Sequence, residues 1–226
     1  MCILELSEVM SWSLFRLFAL LTYLLGYFLT WKYVKIFASW FKGCSIRGVI
    51  HISYGIVLAL SSIPALMYIF TRYTWLLELP TFSLYGLIVF SLTILLLAFS
   101  TFLWEWRISG TTSIDYCFLE AIYCKKKLTL FLTYVSGPIF EEVVYRGLIQ
   151  YTLSNIINPW IALTITTLAF TVPHIRILGT KSIPIILIVS LTLGLLLIAY
   201  NSLIPPILAH TVVNIAGSIR RLKTIS

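Results

Sequence analysis

Charged residues are scarce in this chain. They make up 11% of its 226 residues, whereas hydrophobic residues make up 60%, and the mean hydropathy is +0.99. A soluble globular domain usually carries roughly 25% charged residues, so this composition excludes that class. Long polar linkers and internal repeats are also missing from the sequence. We therefore predict a single integral-membrane domain over residues 1–226, of the all-α class.

Cysteine is rare as well, and its positions show no pattern. The four cysteines have neither the spacing of a metal site nor that of a disulfide framework. A His-Glu-x-x-His pattern is missing too. We expect the cysteines to be small apolar fillers, and we expect the protein to use neither a metal ion nor an organic cofactor.

Long apolar stretches dominate what is present. A membrane-spanning helix needs about 20 largely apolar residues. Seven stretches fit that requirement, at roughly 12–31, 49–70, 82–104, 128–153, 160–178, 183–200 and 203–219. Segment 105–127 ends in three lysines and is either an interfacial amphipathic helix or an ordinary loop. We predict a polytopic bundle of seven transmembrane helices, or of eight if this segment supplies a half-span.

Basic residues occur mainly in every second segment that connects or follows the predicted spans. Of the 16 lysines and arginines, 13 fall in segments 32–48, 105–127, 176–182 and 220–223. Seven alternating spans put all four segments on one side of the membrane. Because cytoplasmic loops are enriched in lysine and arginine, we predict a cytoplasmic C-terminus and an outside N-terminus, in the plasma membrane. The net charge of +8 then indicates a lipid bilayer as partner and no nucleic acid.

Three charged residues interrupt the fourth predicted span. Glu141 and Glu142 are adjacent, and Arg146 follows Glu142 by four residues. This spacing puts Glu142 and Arg146 one turn apart on one helix face, which favours an ion pair. Glu141 projects about 140° away from Arg146 and has no cationic partner in the sequence nearby. We predict a structural pair of Glu142 and Arg146, and a Glu141 carboxylate that is available to accept a proton.

Later spans contribute further polar groups. His174 follows Pro173 in the fifth span, and His210 and Asn214 lie four residues apart in the seventh. At a rise of 1.5 Å per residue, Glu141, His174 and Asn214 come within roughly 5 Å of one another in height, with His210 about one turn above. Interhelical hydrogen bonding is the usual role of a histidine in a membrane, so these residues gain significance only as a group.

Together these groups could hydrolyse an amide bond. Glu141 and His174 could hold a water molecule and remove its proton. His210 and Asn214 could stabilise the oxyanion of the tetrahedral intermediate. A zinc site of Glu141, His174 and His210 is chemically possible, but we rank it well below activation by the glutamate.

The three polar motifs resemble those of the CAAX protease and bacteriocin-processing family, which includes the type II CAAX prenyl endopeptidases. They are Glu-Glu-x-x-x-Arg at 141–146, Phe-x-x-x-His at 170–174 and His-x-x-x-Asn at 210–214, and the resemblance covers a catalytic-motif core at about 128–220. It implies a metal-independent intramembrane glutamate endopeptidase in a conical helical bundle.

The resemblance also implies a role for each motif residue. Glu141 and His174 would activate water, and His210 and Asn214 would form the oxyanion hole, with Glu142 and Arg146 supporting the site. The expected substrate is a hydrophobic or lipidated peptide or protein, such as a prenylated CAAX peptide. The chain is short beside the prenyl endopeptidases, and many prokaryotic relatives instead process small peptides or give immunity to them.

Two other functions fit parts of the pattern. A non-catalytic peptide-immunity or scaffold protein could use the same membrane fold. A proton-coupled transporter is the other alternative, because intramembrane glutamates and histidines also mark proton relays. Against the transporter, the sequence lacks paired interrupted helices related by internal symmetry.

Overall fold

The structure is a computed structural model that describes residues 46–108 and 127–223 and, before them, residues 17, 21–26, 28–29 and 32. The regular elements in this part of the chain are all helical. The helices are α1 Ile46–Arg72, α2 Leu84–Ile108, α3 Lys127–Glu142, α4 Tyr151–Ser154, α5 Pro159–Leu178, α6 Ile183–Tyr200 and α7 Ile204–Lys223. A π-helical segment, Val143–Gln150, joins α3 to α4. The predicted all-α class is confirmed for these residues.

The helices follow six of the seven predicted apolar stretches. Among the residues that the structure describes, three stretches could cross a membrane by length and composition, namely Tyr54–Thr71, Leu84–Trp104 and Thr180–Tyr200. Two shorter apolar helices are Pro159–Ile175 and Ile204–Gly217. The first predicted span, 12–31, lies largely outside the described residues, and so does most of segment 105–127 with its predicted amphipathic helix. The number of spans therefore stays a prediction.

Helix α2 shows why the bundle suits a bilayer. Only 11% of its apolar stretch Leu84–Trp104 is buried inside the protein. Leu92, Leu95, Leu96 and Phe99 are each more than half exposed. In water, so much contiguous apolar surface would be unfavourable, whereas hydrocarbon solvates it well. Most of α2 is therefore suited to face lipid.

Local sequence signals set the ends of the later helices. The Asn158 side chain accepts a hydrogen bond from the backbone N–H of Trp160 at 2.9 Å and caps α5, whose first residue is Pro159. Gly179, with φ of +88°, ends α5, and Asn201, in the left-handed conformation, ends α6. These short turns let α6 pack against both α5 and α7.

The π-helical segment Val143–Gln150 lies at the centre of the described bundle. It packs against α1 and α5, while α7 packs against α2, α3 and α6. All of its residues except Ile149 are buried. The segment begins immediately after Glu142 and contains Arg146, and both side chains are buried between helices.

Close packing of α6 against this segment depends on a glycine. The Gln150 amide donates to the carbonyl oxygen of Gly194 at 3.0 Å. A Cβ added to Gly194 would lie 2.8 Å from Gln150 Oε1 and would also meet the Leu163 side chain. A larger residue at this position would therefore force the Leu163 and Gln150 side chains to shift where α6 approaches the π-helical segment.

Candidate active site

The predicted ion pair of Glu142 and Arg146 is confirmed. Glu142 Oε2 lies 3.2 Å from Arg146 Nε, and both side chains are at most 1% exposed. Arg146 Nη2 also donates to the backbone oxygen of Ser190 at 2.9 Å and to its hydroxyl at 3.0 Å. The guanidinium carbon lies 4.7 Å from the ring centroid of Phe170, a cation–π distance. Arg146 thus connects the acidic pair to α5 and α6.

Glu141 faces two histidines from two other helices. Its Oε1 lies 3.6 Å from His174 Nε2, and its Oε2 lies 3.4 Å from His210 Nε2. The carboxylate side chain is 13% exposed. In the described part of the chain, neither a lysine nor an arginine forms an ion pair with it. Residues from α3, α5 and α7 therefore meet at this carboxylate.

Each histidine is held at its other ring nitrogen. His174 Nδ1 lies 2.7 Å from the carbonyl oxygen of Phe170, and the His174 ring stacks on that of Phe170 with centroids 4.2 Å apart. His210 Nδ1 lies 2.7 Å from Glu142 Oε1. These contacts fix both rings so that their Nε2 atoms are directed at Glu141.

From the helical rise per residue, the sequence predicted that His210 lies about one turn away from the other site residues along the direction across the membrane. The structure brings its ring into contact with both carboxylates, because the side chains extend across the difference in height.

Asn214 follows His210 by one turn of α7 and is partly buried. Among the described side chains, none is hydrogen-bonded to its amide. The structure therefore joins Glu141, His174 and His210 directly, but not Asn214.

A tyrosine cluster next to the site was missed in the sequence. The Tyr145 hydroxyl is hydrogen-bonded to that of Tyr23 and, at 3.0 Å, to that of Tyr54. The Tyr54 ring meets the His174 ring edge to face, with centroids 5.9 Å apart. The sequence did carry one signal for this cluster, because Tyr145 lies within the first motif, one turn after Glu141.

The arrangement provides the parts for proton transfer to and from a small molecule beside Glu141. A carboxylate and two imidazole nitrogens lie within a few ångströms of one another in a largely buried position, where general acid–base groups act best on a positioned water. As a geometric fact, no group of three or more His, Cys, Asp or Glu side chains among the described residues is arranged to hold a metal ion.

Comparison with known families identifies part of the chain. Residues 124–216 match the family model described as "Type II CAAX prenyl endopeptidase Rce1-like". The matched residues include all three motifs discussed above, and the predicted family resemblance is confirmed. Searches of curated proteins and of solved structures gave no match. Residues 124–216, which are 93 of the 226 residues, are thus similar to a family described as an endopeptidase.

Proposed function

We propose that the protein is an intramembrane endopeptidase in which Glu141 and His174 activate a water molecule. The observation that carries the proposal is the position of the Glu141 carboxylate. Its two oxygens lie 3.6 and 3.4 Å from the Nε2 atoms of His174 and His210. The acid beside it, Glu142, is engaged by Arg146. One carboxylate of the pair is thereby left to act on a substrate.

In the proposed reaction, water bound beside Glu141 Oε1 and His174 Nε2 gives up a proton to this pair. Its oxygen forms a bond to the carbonyl carbon of the substrate, and the carbonyl oxygen becomes an oxyanion. His210 Nε2 and the Asn214 amide donate hydrogen bonds to that oxyanion. When the tetrahedral intermediate collapses, the carbon–nitrogen bond breaks, and the proton passes to the leaving nitrogen.

We propose a lipidated peptide of the prenylated CAAX type, or another hydrophobic peptide, as the substrate. The family match supports this class. Space beside the carboxylate supports it too, because a Cβ added to Gly137, one turn before Glu141, would meet no atom of the described residues within 4 Å. An extended substrate backbone needs room of this kind next to the attacking water.

We also propose seven spans with the N-terminus outside and the C-terminus in the cytoplasm of the plasma membrane. The distribution of basic residues supports this orientation. Reporter fusions after Arg72 and after Leu178 would test it, since the proposed topology puts the first on the outside and the second in the cytoplasm.

The decisive experiment is cleavage of a synthetic farnesylated CAAX peptide by the purified full-length protein in detergent. Glu141→Gln and His174→Ala should each lower kcat by about 10²–10⁴-fold, the usual contribution of a positioned general base. Glu78→Gln is the matched control, because this glutamate is exposed and distant from the motifs in sequence. Cleavage by Glu141→Gln at the rate of the Glu78→Gln protein would overturn the proposal.

An unprenylated peptide of the same sequence identifies the substrate class. Faster cleavage of the farnesylated peptide supports a prenylated substrate. Equal cleavage of both peptides assigns the enzyme to hydrophobic peptides in general.

A further inference from the structure

Four aromatic side chains next to Glu141 form a closed cycle of contacts. The rings of Tyr54 and His174 meet edge to face with centroids 5.9 Å apart, and the His174 ring stacks on that of Phe170 at 4.2 Å. The Phe170 ring in turn meets that of Tyr145 at 5.0 Å. A hydrogen bond of 3.0 Å between the hydroxyls of Tyr145 and Tyr54 completes the cycle.

The members of the cycle come from three segments of the chain. Phe170 and His174 belong to α5, Tyr145 belongs to the π-helical segment, and Tyr54 belongs to α1. Of the four, Tyr54 is the one that lies outside the matched residues 124–216. The family match therefore does not account for the side chain that α1 contributes beside His174.

Two contacts fix the His174 ring relative to its own helix. Its Nδ1 lies 2.7 Å from the carbonyl oxygen of Phe170, one turn earlier in α5, and its ring stacks on the Phe170 ring. His174 Nε2, however, is directed at Glu141 Oε1 on α3, at 3.6 Å. Contacts within one helix do not set the position of a ring relative to another helix. The alignment of His174 with Glu141 therefore depends on contacts between helices.

Tyr54 supplies a contact of this kind. The distance between its ring and that of His174 is within the range of roughly 4.5–7 Å that aromatic pairs prefer. Its hydroxyl is bound to that of Tyr145, which follows Glu141 by one turn. The Tyr54 side chain is buried, so close packing limits its movement. Tyr54 thus connects the imidazole to the segment that follows the carboxylate.

The ring and the hydroxyl of Tyr54 make different contributions. The Tyr145 hydroxyl is also hydrogen-bonded to that of Tyr23, so it keeps a partner if the Tyr54 hydroxyl is removed. The contact with His174 is made by the Tyr54 ring. Removal of the ring should therefore affect the imidazole more than removal of the hydroxyl.

We propose that Tyr54 is a positioning residue whose ring keeps His174 Nε2 directed at Glu141. The inference rests on the proposed function and extends the site into α1, before the matched residues 124–216. A general base acts only within hydrogen-bond reach of the proton it removes, and a misplacement of about 1 Å can cost on the order of 100-fold in rate. A less restrained imidazole should therefore lower kcat while KM changes little.

Three variants of the full-length protein in detergent test this role with the farnesylated CAAX peptide. Tyr54→Leu removes the ring and should lower kcat by about 10- to 100-fold, whereas Tyr54→Phe keeps the ring and should cut at close to the unaltered rate. Tyr68→Leu is the matched control, because Tyr68 is another buried tyrosine of α1, roughly 21 Å further along the helix. It should lose stability without a change in kcat.

Equal kcat values for Tyr54→Leu and Tyr68→Leu would overturn the inference. So would a Tyr54→Phe protein that is as slow as Tyr54→Leu. Circular dichroism establishes first that each variant is folded. If Tyr54→Leu does not fold, Tyr54→Met takes its place with the same expectation, because methionine is flexible enough to fill the space without a ring.

A measurement without peptide separates this inference from the proposed function. The chain has three histidines, and in protein labelled at histidine a His174→Gln variant assigns the nuclear magnetic resonance signal of the His174 ring. That signal should broaden or split in Tyr54→Leu, because the ring then occupies more than one position, and it should stay narrow in Tyr68→Leu.

The two proposals therefore fail separately. If the unaltered protein cuts no peptide, the proposed protease is refuted and the His174 signal decides the inference, which a narrow, single signal in Tyr54→Leu would overturn. If the unaltered protein cuts the peptide and Tyr54→Leu has the same kcat, the inference alone is refuted.

Discussion

Replacing Arg146 with methionine should destabilise the protein severely. The guanidinium is buried, and it lies 3.2 Å from Glu142 Oε2 and 2.9 Å from the Ser190 carbonyl oxygen. Methionine fills similar space but supplies neither charge nor donors. Glu142 then keeps a buried negative charge without its arginine, and removing one member of a buried pair costs about 3–5 kcal/mol.

The free energy can be read as a thermal shift. For a chain of this size, each kcal/mol moves the unfolding midpoint by roughly 2–4 °C, so Arg146→Met should unfold about 6–20 °C below the unaltered protein. Far-ultraviolet circular dichroism of the purified protein in one detergent measures this shift. Arg107→Met is the matched control, because that arginine is exposed near the end of α2 and its loss should move the midpoint little.

A double variant distinguishes loss of charge pairing from loss of packing. Glu142→Gln combined with Arg146→Met leaves no unpaired charge at these two positions, and neutral replacement of a whole buried pair is often tolerated. The double variant should therefore unfold closer to the unaltered protein than Arg146→Met alone. The reasoning is refuted if Arg146→Met has the same unfolding midpoint as the Arg107→Met control. It is also refuted if adding Glu142→Gln to Arg146→Met lowers the midpoint further.

Two further predictions use the same unfolding measurement. Gly194→Ala should cost about 1–3 kcal/mol through overpacking, since its Cβ would lie 2.8 Å from Gln150 Oε1. Gly55→Ala is the control and should cost nothing, because a Cβ there meets no atom of the described residues within 4 Å. Equal midpoints for the two variants would contradict the packing explanation. Asn158→Ala should cost about 1 kcal/mol, because the Trp160 N–H loses its acceptor, whereas an unchanged midpoint would show that the cap is unimportant.

Local features of the sequence predicted much of the fold. Hydropathy and span length located helices such as α5 and α6, because lipid imposes a fixed length of apolar residues. The pairing of Glu142 with Arg146 was predictable for a similar reason, since it depends only on residues four apart in one helix. The π-helical winding of Val143–Gln150 was not predicted, because the sequence of this segment carries no pattern that distinguishes it from an ordinary α-helix.

Contacts between helices could not be predicted from the sequence. The Glu142–His210 contact joins residues 68 apart in the chain, and the Arg146–Ser190 contact joins residues 44 apart. Such contacts depend on the rotation and tilt of whole helices, which hydropathy does not specify. The motifs indicated which polar groups matter. They did not indicate that Glu142 contacts His210, which also faces Glu141.

The π-helical segment has a consequence for how disturbance reaches the acidic pair. This winding is rare and is found frequently at functional sites. Here its side chains Arg146 and Gln150 bind α6 at Ser190 and Gly194. A shift of α6 would disturb both contacts and, with them, the position of Arg146 beside Glu142. The packing of α6, which carries none of the charged site residues, therefore affects the Glu142–Arg146 ion pair next to Glu141.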